Sequence, residues 1–377
     1  MIPFNSPLMT GSESGYIEEV LATGKLSGAG AFSAQCQRRL EELLPGSRAF
    51  LTTSATHALE MAALLCELQP GDEVIVPSFA FPTTASAFVR CGARIVFVDI
   101  DPATMNVCPQ AVAESISSRT RAIVALHYGG VACDMIALAG LTKKHDLILI
   151  EDAAQALGGQ YAGRSCGSLA TFGCISFHES KNVHCGEGGA LICNDLQYGE
   201  RAEIILEKGT NRSQFFRGEA DKYTWQALGS SYVLSELNAA FLLAQLEALE
   251  EVTNDRRRSW HEYAELLRPL FARGLLELAS PPPDCYHNAH LFWIKVAATD
   301  VRDQLIRHLR ARGIHSVFHY QALHRSPAGL RYGRFAGCDR YTTRDAGRLL
   351  RLPMYFGFHQ AAAVSAAIAD FFGLTPG

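Results

Sequence analysis

Residues 147–155 read LILIEDAAQ. Four aliphatic residues end abruptly in two carboxylates, followed by small residues and an amide. So short an apolar run, bounded by polar residues, suits a strand buried on both faces of a parallel sheet. Comparable runs lie upstream at Ala49–Thr53 (AFLTT), Glu73–Pro77 (EVIVP), Arg94–Val98 (RIVFV) and Ala122–Leu126 (AIVAL). Helical patterns separate them at 56–68, 83–91 and 135–145. Downstream, Cys174–Phe177 and Gly189–Cys193 read as two further strands. Strands alternating with helices predict an α/β fold with a mostly parallel central sheet. In such sheets ligands bind beyond the carboxyl ends of the strands.

With 377 residues, the chain has room for a large domain (1–250) and a small C-terminal α+β domain (251–377). A long amphipathic pattern from about 235 to 267 predicts a single helix joining them, and His290–Val296 and His315–Tyr320 read as strands of the smaller unit. A net charge of −4 gives no electrostatic case for nucleic acid, and the basic run Arg256–Arg258 is expected on a solvated helix face. The start of the chain lacks the pattern of a signal peptide, and no apolar stretch is long enough to span a bilayer. Eleven scattered cysteines without a CxxC pair suggest reduced thiols and a cytoplasmic protein. His315 and His319 share an i,i+4 spacing, but no HExxH glutamate accompanies them, so a structural or substrate-contact role is expected and no metal.

Four segments can converge at the strand ends. Thr53–Leu59 (TSATHAL) opens a helix, where Ala55 and Thr56 offer N–H groups and a hydroxyl to a phosphate; a plain N-cap by Ser54 is the ordinary alternative. Phe81, just past EVIVP, suits stacking on a flat heterocycle, although taken alone core packing is the better reading. Asp152 suits the ring nitrogen of a pyridine used as an electron sink, with Gln155 three residues on, although a carboxylate pair can also simply open a helix. The fourth segment, Ser176–Gly189, reads SFHESKNVHCGEGG. A lysine that forms a Schiff base must lose its proton, and ordinary lysine has a pKa of about 10.4. Burial or neighbouring positive charge would make Lys181 such an amine; a solvated turn is the bland reading. Each segment alone has an ordinary explanation. Together they supply phosphate cradle, ring platform, ring-nitrogen partner and amine.

These residues resemble those of the DegT/DnrJ/EryC1/StrS aminotransferases, and the likeness runs from Ile2-Pro3-Phe4 to the C-terminal unit. The resemblance implies the fold-type-I aminotransferase scaffold and pyridoxal 5′-phosphate, with pyridoxamine 5′-phosphate as its aminated form. It implies that Lys181 is the Schiff-base lysine, Asp152 the ring-nitrogen partner, Gln155 a neighbour of the phenolic oxygen and Phe81 the stacking aromatic. Ala55, Thr56 and Ser176 would hold the phosphate. FHESKN, EKGTNRSQFFRG (207–218), DKYTW, GSSY and RLLRLP further resemble the branch that aminates C4 of a dTDP-linked 4-keto-6-deoxyhexose, using L-glutamate as donor. That likeness implies a galacto-configured product and a homodimer whose two copies share the active sites. Arg212, Arg217, Lys222 and Tyr223 would meet the diphosphate and sugar, with His319, Tyr320 and His324 bordering the sugar. Relatives that remove a sugar hydroxyl have histidine at the position of Lys181. The sequence departs from the family at Ala55, commonly glycine, at Ser231, where a partner asparagine is common and where its hydroxyl or that of Ser230 would substitute, and at His184-Cys185, which makes Cys185 either a neighbour of the cofactor or, equally, a buried inert thiol.

Two other classes stay open on sequence. A nucleotide-sugar oxidoreductase would need GxGxxG after a strand, which Gly28-Ala29-Gly30 does not supply. A non-catalytic regulator that binds cofactor or sugar needs no missing motif, and only turnover separates it from an enzyme.

Overall fold

In a computed structural model, residues 1–374 are described. Among them an eight-stranded sheet forms the centre. Its strands are β1 (Arg48–Thr52), β2 (Glu73–Pro77), β3 (Arg94–Val98), β4 (Thr120–Leu126), β5 (Ile148–Asp152), β6 (Phe172–Ser176), β7 (Gly189–Cys193) and β8 (Gly333–Phe335). The spatial order is β1-β7-β6-β5-β4-β2-β3-β8. β7 runs antiparallel to both of its neighbours; the pairings from β6 to β8 are all parallel. The aliphatic runs of β2, β4 and β5 are buried almost throughout, and side chains of β1 to β7 feed separate apolar clusters on the two faces of the sheet. Consequently every parallel strand delivers its next residues to one edge.

A second core, built around Tyr263, Phe292, Leu350 and Phe358, packs under a small antiparallel sheet of Glu277–Leu278, Phe292–Lys295 and Leu349–Leu352. The C-terminal part is not wholly separate from the first core, because Gly333–Phe335 joins the large sheet beside β3.

Three expectations need correction. The single helix over 235–267 is two helices, Glu236–Glu247 and Leu249–Ala272, broken at Ala248 (φ −89°, ψ 0°). The first is buried nearly all round, whereas the second buries one stripe, so the break lets each half meet a different core. Segment 315–320 is not a strand. Ile314 bridges to Ile2 and Val317 to Arg351, after which Tyr320 turns the chain away with φ 26°.

Arg256, expected on a solvated face, is buried. It sits on the stripe Val252, Arg256, Ser259, Tyr263 and Leu267, whose spacing marks the inward face. Its Nε donates to the Ala289 carbonyl (3.1 Å), and its Nη2 to those of His290 (2.7 Å) and Met354 (3.2 Å). One guanidinium thereby ties together the two chain segments that carry His290 and Met354. Replacing it with methionine leaves three acceptors without their donor. Arg256→Met should lower unfolding free energy by about 3 kcal/mol, measured by urea denaturation; a change within error would mean that water replaces the guanidinium.

Candidate active site

Beyond the carboxyl ends of β1, β2, β5 and β6 lies a cavity of about 420 Å³. Its walls include Ala55, Thr56, Phe81, Asp152, Gln155, Ser176, Lys181, His319 and Tyr320, so nine of the residues singled out in the sequence meet there. His324, Arg212, Arg217, Lys222 and Tyr223 do not line it.

Helix Ala55–Leu65 points its N-terminus into the cavity, capped by Ser54, whose side chain accepts from the His57 N–H. The first helical N–H groups have no acceptor within the helix, so those of Ala55 and Thr56 are available to an anion, and the helix dipole adds to the attraction. Behind this cradle stands Gly189. A Cβ there would lie 2.3 Å from the Ser54 carbonyl carbon and 2.4 Å from the Ala55 nitrogen, so only glycine lets β7 approach so closely. At Gly188 a Cβ would meet Cys185 Sγ at 2.5 Å. The paired glycines of GEGG thus seat the cradle. Cys185 itself is buried outside the cavity, with its thiol pushed up to about 12 by burial.

Asp152 ends β5 and is buried. It accepts from Thr84 Oγ1 (2.7 Å) and the Ala154 N–H (3.3 Å). Burial nonetheless raises its pKa, an imbalance that a cationic ring nitrogen would relieve. Adjacent Glu151 points the other way: it accepts from His127 Nε2 and from the N–H groups of Gly167, Leu169 and Ala170, and so supports the return to β6. Gln155 is fixed at both ends. Its Oε1 accepts from the Gly129 N–H (2.7 Å), and its Nε2 donates to Tyr320 Oη (2.8 Å).

Lys181 sits in the loop from β6 to β7, pinned because the neighbouring Asn182 donates to the Asn288 carbonyl (2.9 Å) and contacts His290 Nδ1 (2.9 Å). Burial lowers the Lys181 pKa to about 8; Asp152 opposes the shift and Arg351 adds to it. No carboxylate lies within ion-pair distance among the described residues. The amine is therefore held, partly neutral and uncommitted.

Half-exposed Phe81 lines the cavity mouth, its ring 6.3 Å from that of Tyr320. Helix-terminal N–H groups, nearby hydroxyls of Thr56 and Ser176, a carboxylate, an aromatic face and a free amine together fit a phosphorylated pyridine aldehyde. The sequence reading overlooked Phe4, Asn5, Thr84, His290 and Arg351. All but Thr84 reach the site only through long-range packing, and Thr84 lies three residues past Phe81, where the turn of the helix brings it to Asp152.

The remaining positions lie outside the cavity. His324 contacts Ser78 Oγ (2.6 Å) and Asp339 (3.2 Å). Arg217 pairs with Glu203 and Glu219, and Arg212 lies 3.6 Å from Glu207. Lys222 and Tyr223 are exposed, as are Ser230 and Ser231.

Comparison with known proteins gives this arrangement its context. Residues 7–369 match the model of the DegT/DnrJ/EryC1/StrS aminotransferase family. The chain belongs to this family. It is a pyridoxal-phosphate-dependent aminotransferase with an α/β fold. It is 30% identical to a GDP-perosamine synthase of Caulobacter vibrioides over 94% of both chains. A pleiotropic regulatory protein of Geobacillus stearothermophilus is 33% identical, over 80% of this chain and 78% of that one. The solved structure of the aminotransferase TlmJ from Streptoalloteichus hindustanus superposes with a TM-score of 0.90, 30% identity and 99% of both chains covered.

A lysine whose folded pKa is lowered binds fewer protons than its unfolded counterpart between about pH 8 and 10.5, so stability rises with pH across that window. Below it the buried charge is a cost. Cofactor-free Lys181→Met should therefore exceed the wild type in stability at pH 7, and the gap should shrink as pH rises from 8 towards 10. Denaturation at stepped pH tests this; a constant gap would show that Lys181 titrates as it does in water.

Proposed function

We propose that the protein transfers the amino group of L-glutamate to C4 of dTDP-4-keto-6-deoxy-D-glucose, giving 2-oxoglutarate and dTDP-4-amino-4,6-dideoxy-D-galactose. The observation that carries an amino-transfer reading is Lys181, uncommitted and of lowered pKa, in one cavity with a buried Asp152. Likeness to a GDP-perosamine synthase supports a nucleotide-linked sugar. The EKGTNRSQFFRG and RLLRLP motifs support the dTDP-linked C4 ketone; a C3 ketone or another epimer is the neighbouring possibility within the same chemistry.

When bound, pyridoxal 5′-phosphate supplies a carbonyl carbon that receives the amino group and a ring that accepts the electrons left when a Cα–H bond breaks. The chain does the rest. Ala55, Thr56 and Ser176 would hold its phosphate, and Phe81 would stack on its ring. Asp152, fixed by Thr84 and the Ala154 N–H, keeps a negative charge where the ring nitrogen needs its proton. Gln155, braced by Gly129 and Tyr320, orients the ring edge. Lys181 Nζ takes the proton from the donor Cα and, in the return half, delivers one to sugar C4. A pKa near 8 suits both duties at neutral pH.

Arg212, Arg217, Lys222 and Tyr223 fall outside the cavity of their own chain, on a segment where Phe216, Tyr223, Trp225 and Leu228 are exposed. In the homodimer we propose, this segment serves the partner's cavity and meets the sugar diphosphate. The reading also assigns the reaction to the cytoplasm: all eleven cysteines are unpaired, and among the described residues no helix is long and apolar enough to cross a membrane. Likeness to a pleiotropic regulatory protein favours one other reading, a regulator that binds cofactor without turnover.

Absorbance titration separates them. L-glutamate should remove the visible cofactor band of the purified protein, and dTDP-4-keto-6-deoxy-D-glucose should restore it. Lys181→Ala should abolish both changes. Loss of the band without restoration would overturn the sugar assignment, and insensitivity to glutamate would favour the regulator.

A further inference from the structure

Next to Lys181 stands Asn182, whose side chain links the lysine loop to the chain around His290. Its Nδ2 donates to the Asn288 carbonyl (2.9 Å), and its Oδ1 lies 2.9 Å from His290 Nδ1. A carbonyl can only accept, so the Asn182 amide has one orientation, with Oδ1 turned to the imidazole. An amide oxygen can only accept as well. The proton of the ring therefore sits on Nδ1.

Asn288 holds this chain of bonds in place. Its own Nδ2 donates to the carbonyls of Gln155 and Leu157 (2.9 Å each), and its Oδ1 accepts from the His290 N–H (3.1 Å). Gly130, with φ 84°, leaves room for that amide: a Cβ there would lie 1.8 Å from Asn288 Oδ1. The His290 carbonyl accepts from Arg256 Nη2 (2.7 Å). Asn182, Asn288 and His290 are all buried. The ring is thus fixed in both position and tautomer.

Burial keeps His290 well below the usual histidine range, and the charges of Lys181, Arg256 and Arg351 and the neighbouring His319 ring add to the effect. Arg351 itself has the Phe318 carbonyl as its acceptor (3.2 Å). A neutral ring with its proton on Nδ1 carries a bare lone pair on Nε2. Among the described residues nothing donates to that atom: the bonds of His290 use its N–H, its Nδ1 and its carbonyl. Yet the residue, only 5% exposed, lines the same cavity as Lys181. A buried acceptor without a donor is costly. Lys181 and His290 also border one niche of about 10 Å³, no larger than a single water, so the two side chains are close neighbours. The half-buried Lys181 amine, which no carboxylate engages among the described residues, can supply the donor.

We propose that His290 is a positioning residue for Lys181: its Nε2 accepts a hydrogen bond from the lysine amine whenever that amine is not joined to the cofactor, and so turns the lone pair of Nζ towards the substrate carbon. The assignment rests on the transaminase reading. It adds the group that orients a flexible amine between its two proton transfers. Because the ring is neutral and hard to protonate, it takes the hydrogen bond without taking the proton, which stays with Lys181 for delivery.

The test uses enzyme loaded with pyridoxamine 5′-phosphate, in which Lys181 is free, with its histidines labelled with heavy nitrogen. Magnetic resonance should show the His290 ring with its proton on Nδ1, the signals being assigned by their absence in His290→Gln. In Lys181→Met the Nε2 resonance should move towards that of an unbonded lone pair. Kinetics give the second reading. His290→Asn keeps a donor near Asn182 but has no acceptor where Nε2 stands. At saturating glutamate its bleaching of the visible band should slow by about 2- to 12-fold, the range for losing one neutral hydrogen bond. Glutamate deuterated at Cα should then show a larger isotope effect than in the wild type, with the half-saturating concentration little changed. His290→Gln, which puts an oxygen in the place of Nε2, should lose less. A merely structural role would lower stability or cofactor content and leave the isotope effect alone. A proton on Nε2, an Nε2 resonance indifferent to Lys181→Met, or equal rates and isotope effects in the Asn and Gln variants would each overturn the proposal. If both resonance results hold but glutamate never bleaches the wild type, the His290 assignment stands and the glutamate-dependent reaction falls instead.

Discussion

The site depends on one electrostatic arrangement: a buried carboxylate and a half-buried amine share a cavity, and neither has the other's charge as its settled partner. Asp152 is held at the end of β5 by a hydroxyl and one backbone N–H, too few donors to offset its desolvation. Lys181 is desolvated to a pKa of about 8. A direct ion pair would quench both groups. Instead Asp152 is anchored on the sheet and Lys181 on a loop tied to Asn288, which leaves space for a molecule that needs an anion at one end and an amine at the other.

The sheet makes that arrangement possible. Parallel strands deposit successive loops on one edge, so residues more than a hundred positions apart in sequence meet without long excursions. The single antiparallel strand, β7, brings Gly189 against the backbone of residues 54 and 55. The C-terminal core contributes the opposite wall. Arg256 binds the carbonyls of Ala289, His290 and Met354, so the position of that wall is set by a buried guanidinium in a helix otherwise charged on its surface.

Much of this was legible in the sequence. EVIVP, RIVFV and LILIED identify themselves as doubly buried strands, and the residues after them line the cavity because topology requires it. Lys181 stood out as a charge between SFH and a glycine pair. Less legible were groups whose role depends on packing. The stripe containing Arg256 was visible, but a run of three arginines reads as a solvated face until the carbonyls opposite are known. Ala248 carries no proline or glycine to announce a break. Arg351 lies within a motif noted for its likeness, yet its lack of a carboxylate partner is a property of the folded neighbourhood. Positions 212–223 carry charges that a single chain directs away from the cavity.

The central claim is that Lys181 is the amine that holds the cofactor, and it has a direct chemical readout. Borohydride reduction of the purified, cofactor-loaded protein followed by proteolysis and mass spectrometry would fix the cofactor where it is attached. The account predicts a single pyridoxyl group on the peptide containing Lys181. A label on Lys208, Lys222 or any other lysine, with Lys181 unmodified, would contradict it.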